Sequence, residues 1–383
     1  MADWITAEAA RTRLGVRPQT LYAYVSRGRL QVRADPEDPR RSLYRAADVA
    51  ALGERKSRGR KASEVAAGAI AWGEPVLESA ITTVSAGGLY YRGRDAVALA
   101  GSETLESVAR LLRGGDGAAL KRTARPIPPD LPDMRARAFA ALAARAGEDA
   151  PARGRPPLAL AVEAATLLDV LADAVAGEIG GGAIHDRLAR AWGCHAMGPA
   201  ADLIRRALVL LADHELNAST FAARVAASTG ASLAASALAG LAALSGPRHG
   251  GATAALRGLL AEAGEIGPSA AIAARHAEDR VIPGFGHPLY PDGDPRAAAL
   301  IDRLSLSADL QALRTAVEAQ TGMAANVDFA LVALADTLKL PRDAPFALFA
   351  VARCAGWIAH AMEQTQTDQL IRPRARYVGP VPG

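Results

Sequence analysis

The chain is 383 residues long, half of them hydrophobic but only 4% aromatic, and carries a formal net charge of +4. One hydrophobic core usually stops growing at roughly 250–300 residues, so at least two domains are expected, packed mainly by Ala, Leu and Val. Cys194 and Cys354 stand in no CxxC or metal-ligand spacing, which excludes a disulfide framework and points to a reducing, cytoplasmic setting.

The opening MADWITAEAARTRLG lacks the apolar core of a signal peptide. The most apolar stretches, Ser232–Leu244 and Ala344–Met362, are interrupted by Ser and Gly or carry Arg353 and His360. Neither is expected to span a membrane.

Charge is uneven along the chain. Residues 1–62 hold 14 Lys/Arg against 7 Asp/Glu, and the remainder 30 against 33. This is the pattern of an acid-seeking appendage on a nearly neutral body. Thr6 is a candidate N-cap with Glu8 in the first turn, and Ala9, Ala10 and Leu14 recur at helical spacing before Gly15. After a tight turn, Pro18 takes a favoured first helical position and Leu21 and Val25 share one face until Gly28. The stretch RLQVRADPEDPRRSLYRAADVAAL reads as strand, turn, returning strand and third helix.

Two short helices joined by a tight turn make a helix-turn-helix, whose second helix can enter a major groove. Residues 1–52 resemble the winged helix-turn-helix of the MerR and excisionase type. In that reading Arg17, Gln19 and Thr20 face base edges, while Arg33, Arg40 and Arg41 in the wing meet phosphates. The same pattern also suits a dimerisation or partner-docking module. Residues 53–71, with their charged, Gly/Ser-containing run GERKSRGRKASE, read as a linker.

From residue 72 the character changes. The stretch PVLESAITTVSAGGLYYRGRDAVAL suggests a small β element with a Gly-Gly turn, and TLESVARLL opens a mainly α regime. Three segments interrupt its apolar pattern with polar residues. LADHELNAST carries His214. LSGPRHGGATAAL sets His249 on a helix break, where the dipole of the following helix disfavours a charged imidazole. In RVIPGFGHPLYPDGDPRAAAL, two glycines and Pro283 bare backbone N–H groups beside His287, and Arg296 opens another helix. Asp328, Arg353 and Arg372 follow.

Each of these residues has a structural explanation when taken alone. Together they form a set suited to joining an acyl thioester to a dicarboxylate. Their local words, DHELNAS, GPRHGGA, GFGHPLY with DPRA, NVDF and RPRARYVG, resemble the citrate synthase family, over about four-fifths of the chain. The whole resembles the bacterial citrate synthases that carry a helix-turn-helix.

The resemblance implies an almost all-helical homodimer. Its catalytic body would span residues 72–383, with a small domain, about 245–345, inserted in a large one. It implies that Asp328 removes a methyl proton from acetyl-CoA, that His249 hydrogen-bonds the enol, and that His287 polarises the oxaloacetate carbonyl. His214, Arg296 and Arg353 would bind oxaloacetate or citrate, with Arg372 reaching in from the partner subunit. Pro283, Gly284, Phe285 and Gly286 would contact CoA. Neither a metal nor a cofactor is implied, the CoA thioester being a substrate.

Two positions depart from the family pattern. Pro288 stands where Arg often follows the histidine, and Thr253-Ala254 where Asn-Glu often follows HGGA; both lie near the acyl-CoA contacts. The reaction implied is condensation of acetyl-CoA with oxaloacetate. Propionyl-CoA as donor (2-methylcitrate synthesis), citryl-CoA cleavage and a DNA-binding metabolite sensor remain alternatives. A sensor, though, has no use for the base Asp328.

Overall fold

The computed structural model describes residues 4–16, 21, 24–25, 30–36, 38, 41–52, 77–115, 130–195, 197–375 and 377–380. The chain divides into two compact units, Met1–Glu78 and Ser79–Gly383.

In the first unit Thr6 caps the Ala7–Leu14 helix by accepting the Ala9 N–H, and Gly15 ends it in the left-handed region (φ 59°), as read from the sequence. Substituting such a cap typically costs about 1 kcal/mol. Strands Val32–Ala34 and Ser42–Arg45 pair antiparallel, as the wing reading expects. A third strand, Trp4–Thr6, pairs with the other edge of Ser42–Arg45; three residues before a helix give no strand signal of their own. Ala10, Leu14, Leu21, Leu30, Tyr44 and Val49 form the unit's core. Leu21, Tyr24, Val25 and residues 46–52 are helical. Arg17, Gln19, Thr20, Arg40 and the 53–71 linker lie outside the described residues.

The second unit opens with strands Thr82–Ser85, Gly88–Tyr91 and Arg94–Asp95 in one antiparallel sheet. The turn closes on Ala86-Gly87 (φ 48° and 76°), so Gly88 already belongs to the second strand. This moves the Gly-Gly turn expected from sequence one residue earlier. Two residues with positive φ suit the tight hairpin geometry. The remaining described elements of this unit are helical, from Ala96–Ser102 to Ala344–Thr367.

Two hydrophobic clusters organise these helices. The larger is built on Pro157–Ala176, Pro199–Leu211, Leu233–Leu244 and Ala344–Thr367. The smaller gathers Leu256, Leu259, Ile272, Phe285, Leu313 and Val317. Ala344–Thr367 is long and apolar enough to cross a membrane, but its most apolar window is wholly buried. It is a core helix.

The helix Val327–Thr337 stands between the clusters. Val327, Ala330, Leu331 and Leu334 face the larger one, and Phe329, Val332 and Ala333 the smaller. Residues three and four apart share a helix face, so the 327/330/331/334 and 329/332/333 sets are its two sides. Asp328 therefore rides on the wall between two cores.

Candidate active site

Asn326 starts that wall helix by accepting the Asp328 N–H (3.0 Å). The Asn326 N–H donates to the Gly284 carbonyl (2.9 Å) and its side-chain amide to the Gly286 carbonyl (3.0 Å). The Gly-Phe-Gly loop is thus stitched to the residues before Asp328. Gly284 and Gly286 both have left-handed φ (84° and 69°), and a Cβ on Gly284 would lie 2.9 Å from Leu256. These glycines serve backbone conformation and close approach. Contrary to the sequence reading, the Gly286 N–H is not bared, because it donates to the Ala324 carbonyl (2.8 Å). Phe285 is a core residue stacked near Phe329.

His214, His287 and Tyr290 converge. The two imidazole centroids lie 5.1 Å apart, edge to face, and His214 Nε2 meets the Tyr290 hydroxyl at 2.9 Å. His287 Nδ1 accepts the Leu289 N–H (3.2 Å), so a neutral His287 carries its proton on Nε2 and is a donor there. Burial pushes the His287 pKa down to about 4, with the Arg296 charge acting the same way. Burial likewise holds His214 well below its usual range, with Arg296, Arg353, His287 and His249 all adding to it.

His249 sits on the turn before the Ala252–Ile266 helix. Its pKa falls to about 4, chiefly through burial and then through the Arg353 charge. Its Nε2 lies 2.9 Å from Ser219 Oγ, which accepts the Trp357 indole N–H (3.1 Å). The Ser219 hydroxyl donates to Asn217 Oδ1 (2.7 Å), which also accepts two backbone N–H groups.

Two of the buried arginines, Arg296 and Arg353, differ. Arg296 is gripped by Asp294, Nε to Oδ1 at 2.9 Å and Nη2 to Oδ2 at 2.8 Å. Burial opposes its charge, but Asp294 outweighs it and raises the pKa. Arg353 donates Nε to the Leu211 carbonyl (2.9 Å), and its Nη2 is buried without a partner. Burial lowers its pKa to about 10.

Asp328 Oδ1 is likewise buried and unpartnered. Burial raises this carboxyl to about 6, with Arg296 opposing. The set therefore offers a poised carboxylate, neutral imidazoles and a guanidinium with an open donor. Buried polar atoms are normally satisfied, and the Asp328 oxygen and Arg353 nitrogen are among the described buried atoms that no other protein group satisfies. A cavity of about 240 Å³ is lined by His287 together with Gly286, Tyr290, Asp294, Met323 and Asn326.

Mutual electrostatic influence therefore links His214, His249, His287, Arg296, Asp328 and Arg353. Arg372 is not among them. It lies exposed in the segment after the long helix, where the neighbouring Ile371 N–H donates to Ser228 Oγ (3.1 Å). Sequence reasoning assigned no role to Tyr290, Asp294, Ser219 or Asn326, although all four stand inside the motif words quoted for the family. Their signal was position beside a histidine or aspartate.

A mainly helical body thus brings these polar groups under one another's influence. The profile described as citrate synthase, C-terminal domain, matches residues 120–374, and the chain belongs to the citrate synthase family. Citrate synthase 2 of Bacillus subtilis is 37% identical over 190 residues, covering 47% of this chain and 51% of that protein. The 2-methylcitrate synthase 2 of Corynebacterium glutamicum is 35% identical over 185 residues, covering 45% and 48%. The chain thus spans about half the length of the curated relatives it matches. Among solved structures, citrate synthase from Thermotoga maritima superposes with a TM-score of 0.67 at 28% identity, covering 81% of this chain and 95% of that one.

Proposed function

We propose that the protein condenses acetyl-CoA with oxaloacetate to give citrate and CoA. The observation that carries this reading is the Asp328 carboxyl, raised to about 6 by burial with one oxygen bare, among imidazoles held neutral. The α-proton of a thioester is a very weak acid, so a carboxylate removes it only if the enol oxygen is stabilised at the same moment. His249 serves this role as a neutral imidazole. The enol carbon then bonds the oxaloacetate carbonyl carbon, whose oxygen takes a hydrogen bond from His287 Nε2. His214 helps bind the oxaloacetate carbonyl end, and Arg296 and Arg353 bind its carboxylates. Water hydrolyses citryl-CoA, releasing CoA. No further cofactor is called for.

The remaining assignments belong to the same proposal. Residues 1–52 form a winged helix-turn-helix, residues 53–71 a linker, and residues 72–383 the catalytic body, with a small domain at about 245–345. The separate cluster around Leu256 and Phe285 supports that inserted domain. Pro283, Gly284, Phe285 and Gly286 contact CoA. The protein works as a cytoplasmic homodimer, with Arg372 completing the partner's site; its exposure beyond the last helix supports this. The N-terminal unit binds DNA through Arg17, Gln19, Thr20, Arg33, Arg40 and Arg41. The basic excess of residues 1–62 and the exposed strand Val32–Ala34 support it, although Arg33 also stacks over Trp4 and Arg41 pairs with Asp38.

Propionyl-CoA is the second donor to consider, because a relative named 2-methylcitrate synthase matches over a similar length and one methylene is discriminated by pocket shape alone. A thiol-release assay with oxaloacetate and either acyl-CoA tests both donors. Release from neither would reject the reading.

A further inference from the structure

His214 stands in the loop between the helices Pro199–Leu211 and Ala218–Ser228, and the hairpin of strands Thr82–Ser85 and Gly88–Tyr91 holds that loop on both sides of it. Before His214, the buried Tyr91 hydroxyl accepts the Asp213 N–H (3.4 Å) and stands 3.1 Å from the Val209 and Leu210 carbonyls. The Asp213 side chain is held as well, its Oδ2 meeting His360 Nε2 at 3.1 Å. After His214, Glu215 Oε1 accepts the Val84 N–H at 2.5 Å. Asn217 closes the loop by donating its side-chain amide to the His214 carbonyl (3.1 Å).

Glu215 is held in the left-handed region, with φ 51°. A Cβ there crowds the backbone, which is why glycine is the usual occupant. Asp368 has the same φ, but it caps the end of the Ala344–Thr367 helix; Glu215 lies beyond the Ala212 cap of the preceding helix. A side chain persists in so sparsely populated a conformation only where its surroundings hold it there. The Val84 N–H supplies such a hold. Thr82–Ser85 is an edge strand of its sheet, with Val84 facing Leu89 on the one paired side. A hydrogen bond to a carboxylate is among the stronger kinds. The imidazole that this loop presents meets the Tyr290 hydroxyl at 2.9 Å and lies edge to face with His287, so a shift of the loop moves His214 relative to both.

We propose that Glu215 is a positioning residue for His214: its side chain ties a left-handed backbone to the Val84 N–H, and with Tyr91 on the other side this sets where the imidazole meets oxaloacetate. This rests on the oxaloacetate-binding part of the proposed function. Two features carry it together. Glycine would adopt this φ freely but has nothing to reach Val84 with, whereas glutamate reaches Val84 at the cost of a crowded backbone. The hairpin thereby becomes part of the support of the site, although no residue of it touches the substrate.

The test is calorimetric binding of oxaloacetate by the full-length protein and four variants, with melting temperatures on the same preparations. Glu215→Gly removes the tether but suits the left-handed backbone. Its affinity should fall roughly tenfold, while its melting temperature drops by no more than about 3 °C. Glu215→Gln keeps an acceptor oxygen at the same reach and should bind within about threefold of wild type. Val84→Pro removes the N–H on an edge strand, where proline is tolerated, and should lose roughly the same tenfold. Val84→Ala keeps the N–H and should bind within about threefold of wild type.

A residue that only braces the fold would lower the melting temperature and leave affinity unchanged. That result in Glu215→Gly overturns the inference. Equal losses in the Gly and Gln variants would mean that the charge acts rather than the tether, and overturn it too. If Glu215→Gly does not fold, the Val84 pair decides: equal affinity in the Pro and Ala variants overturns it. Any of these outcomes leaves the functional reading standing. Wild-type protein that binds no oxaloacetate would overturn that reading and this inference with it.

Discussion

Asp294 holds Arg296 at two points, and with the same Oδ2 it accepts the Val327 N–H (3.0 Å) at the head of the helix carrying Asp328. One carboxylate thus fixes the Arg296 guanidinium relative to the helix that carries Asp328. Removing one partner of such a buried pair typically costs about 3–5 kcal/mol.

Asp294→Ala should therefore lower the melting temperature and also raise the KM for oxaloacetate by roughly tenfold or more. Thermal melts and steady-state kinetics on the same preparation check both. A lowered melting temperature with unchanged KM would mean that the pair is structural only.

The Asp328 carboxyl carries an opposite signature. Its folded pKa is about 6 against an ordinary 3.8, so the fold favours the protonated form. The stability this gives is present below the ordinary value and is lost as pH rises through about 6. At neutral pH the charged carboxylate costs the fold on the order of 3 kcal/mol. Asp328→Asn removes that charge at nearly constant shape. It should melt higher than wild type at pH 7, with the difference vanishing toward pH 4. Melting curves across that range check it; an equal or lower melting temperature at pH 7 contradicts the burial argument.

The proposed sharing of sites between subunits makes a complementation prediction. Arg372→Ala and Asp328→Ala homodimers should each be nearly inactive. After subunit exchange, the mixture should regain part of the activity, because one site of each heterodimer holds both intact residues. Exchange demonstrated by mass spectrometry with no regained activity would place each site within one chain.

The proposed DNA-binding role of the N-terminal unit predicts an affinity for duplex DNA that falls steeply with salt, since each neutralised phosphate releases counterions. Arg40→Ala with Arg41→Ala should flatten that slope for every sequence, whereas Gln19→Ala should relax preference for a particular site. Deleting residues 1–62 should leave thiol release intact. Absence of binding even at low salt would reject this role and leave the enzyme reading standing.

The proposed site histidines, Asp328, Arg296 and Arg353 stood out in the sequence because each interrupts apolar helical sequence inside a compact local word. The residues that hold them did not. His360 and Asp213 lie 147 positions apart and Tyr290 and His214 76 apart, and no periodicity links such pairs. His360 in particular is one polar residue in a buried apolar helix, where the sequence offered only a reason to exclude a membrane span. The neutrality of His249 was legible, but its main cause was not, because burial depends on helices distant in sequence. The strand Trp4–Thr6 escaped for the same reason, its partner being Ser42–Arg45.

The most direct test of the account is the pH dependence of oxaloacetate-dependent CoA release from acetyl-CoA, by wild type and by Asp328→Asn. Asp328 must be ionised to act, and burial sets its pKa at about 6, while His249 and His287 stay neutral down to about 4. Wild-type kcat should therefore reach a plateau above about pH 7 and fall about tenfold per unit below 6, and Asp328→Asn should lose at least ~10²-fold at every pH. Release that is independent of oxaloacetate, or an Asp328→Asn variant that turns over like wild type, would contradict it.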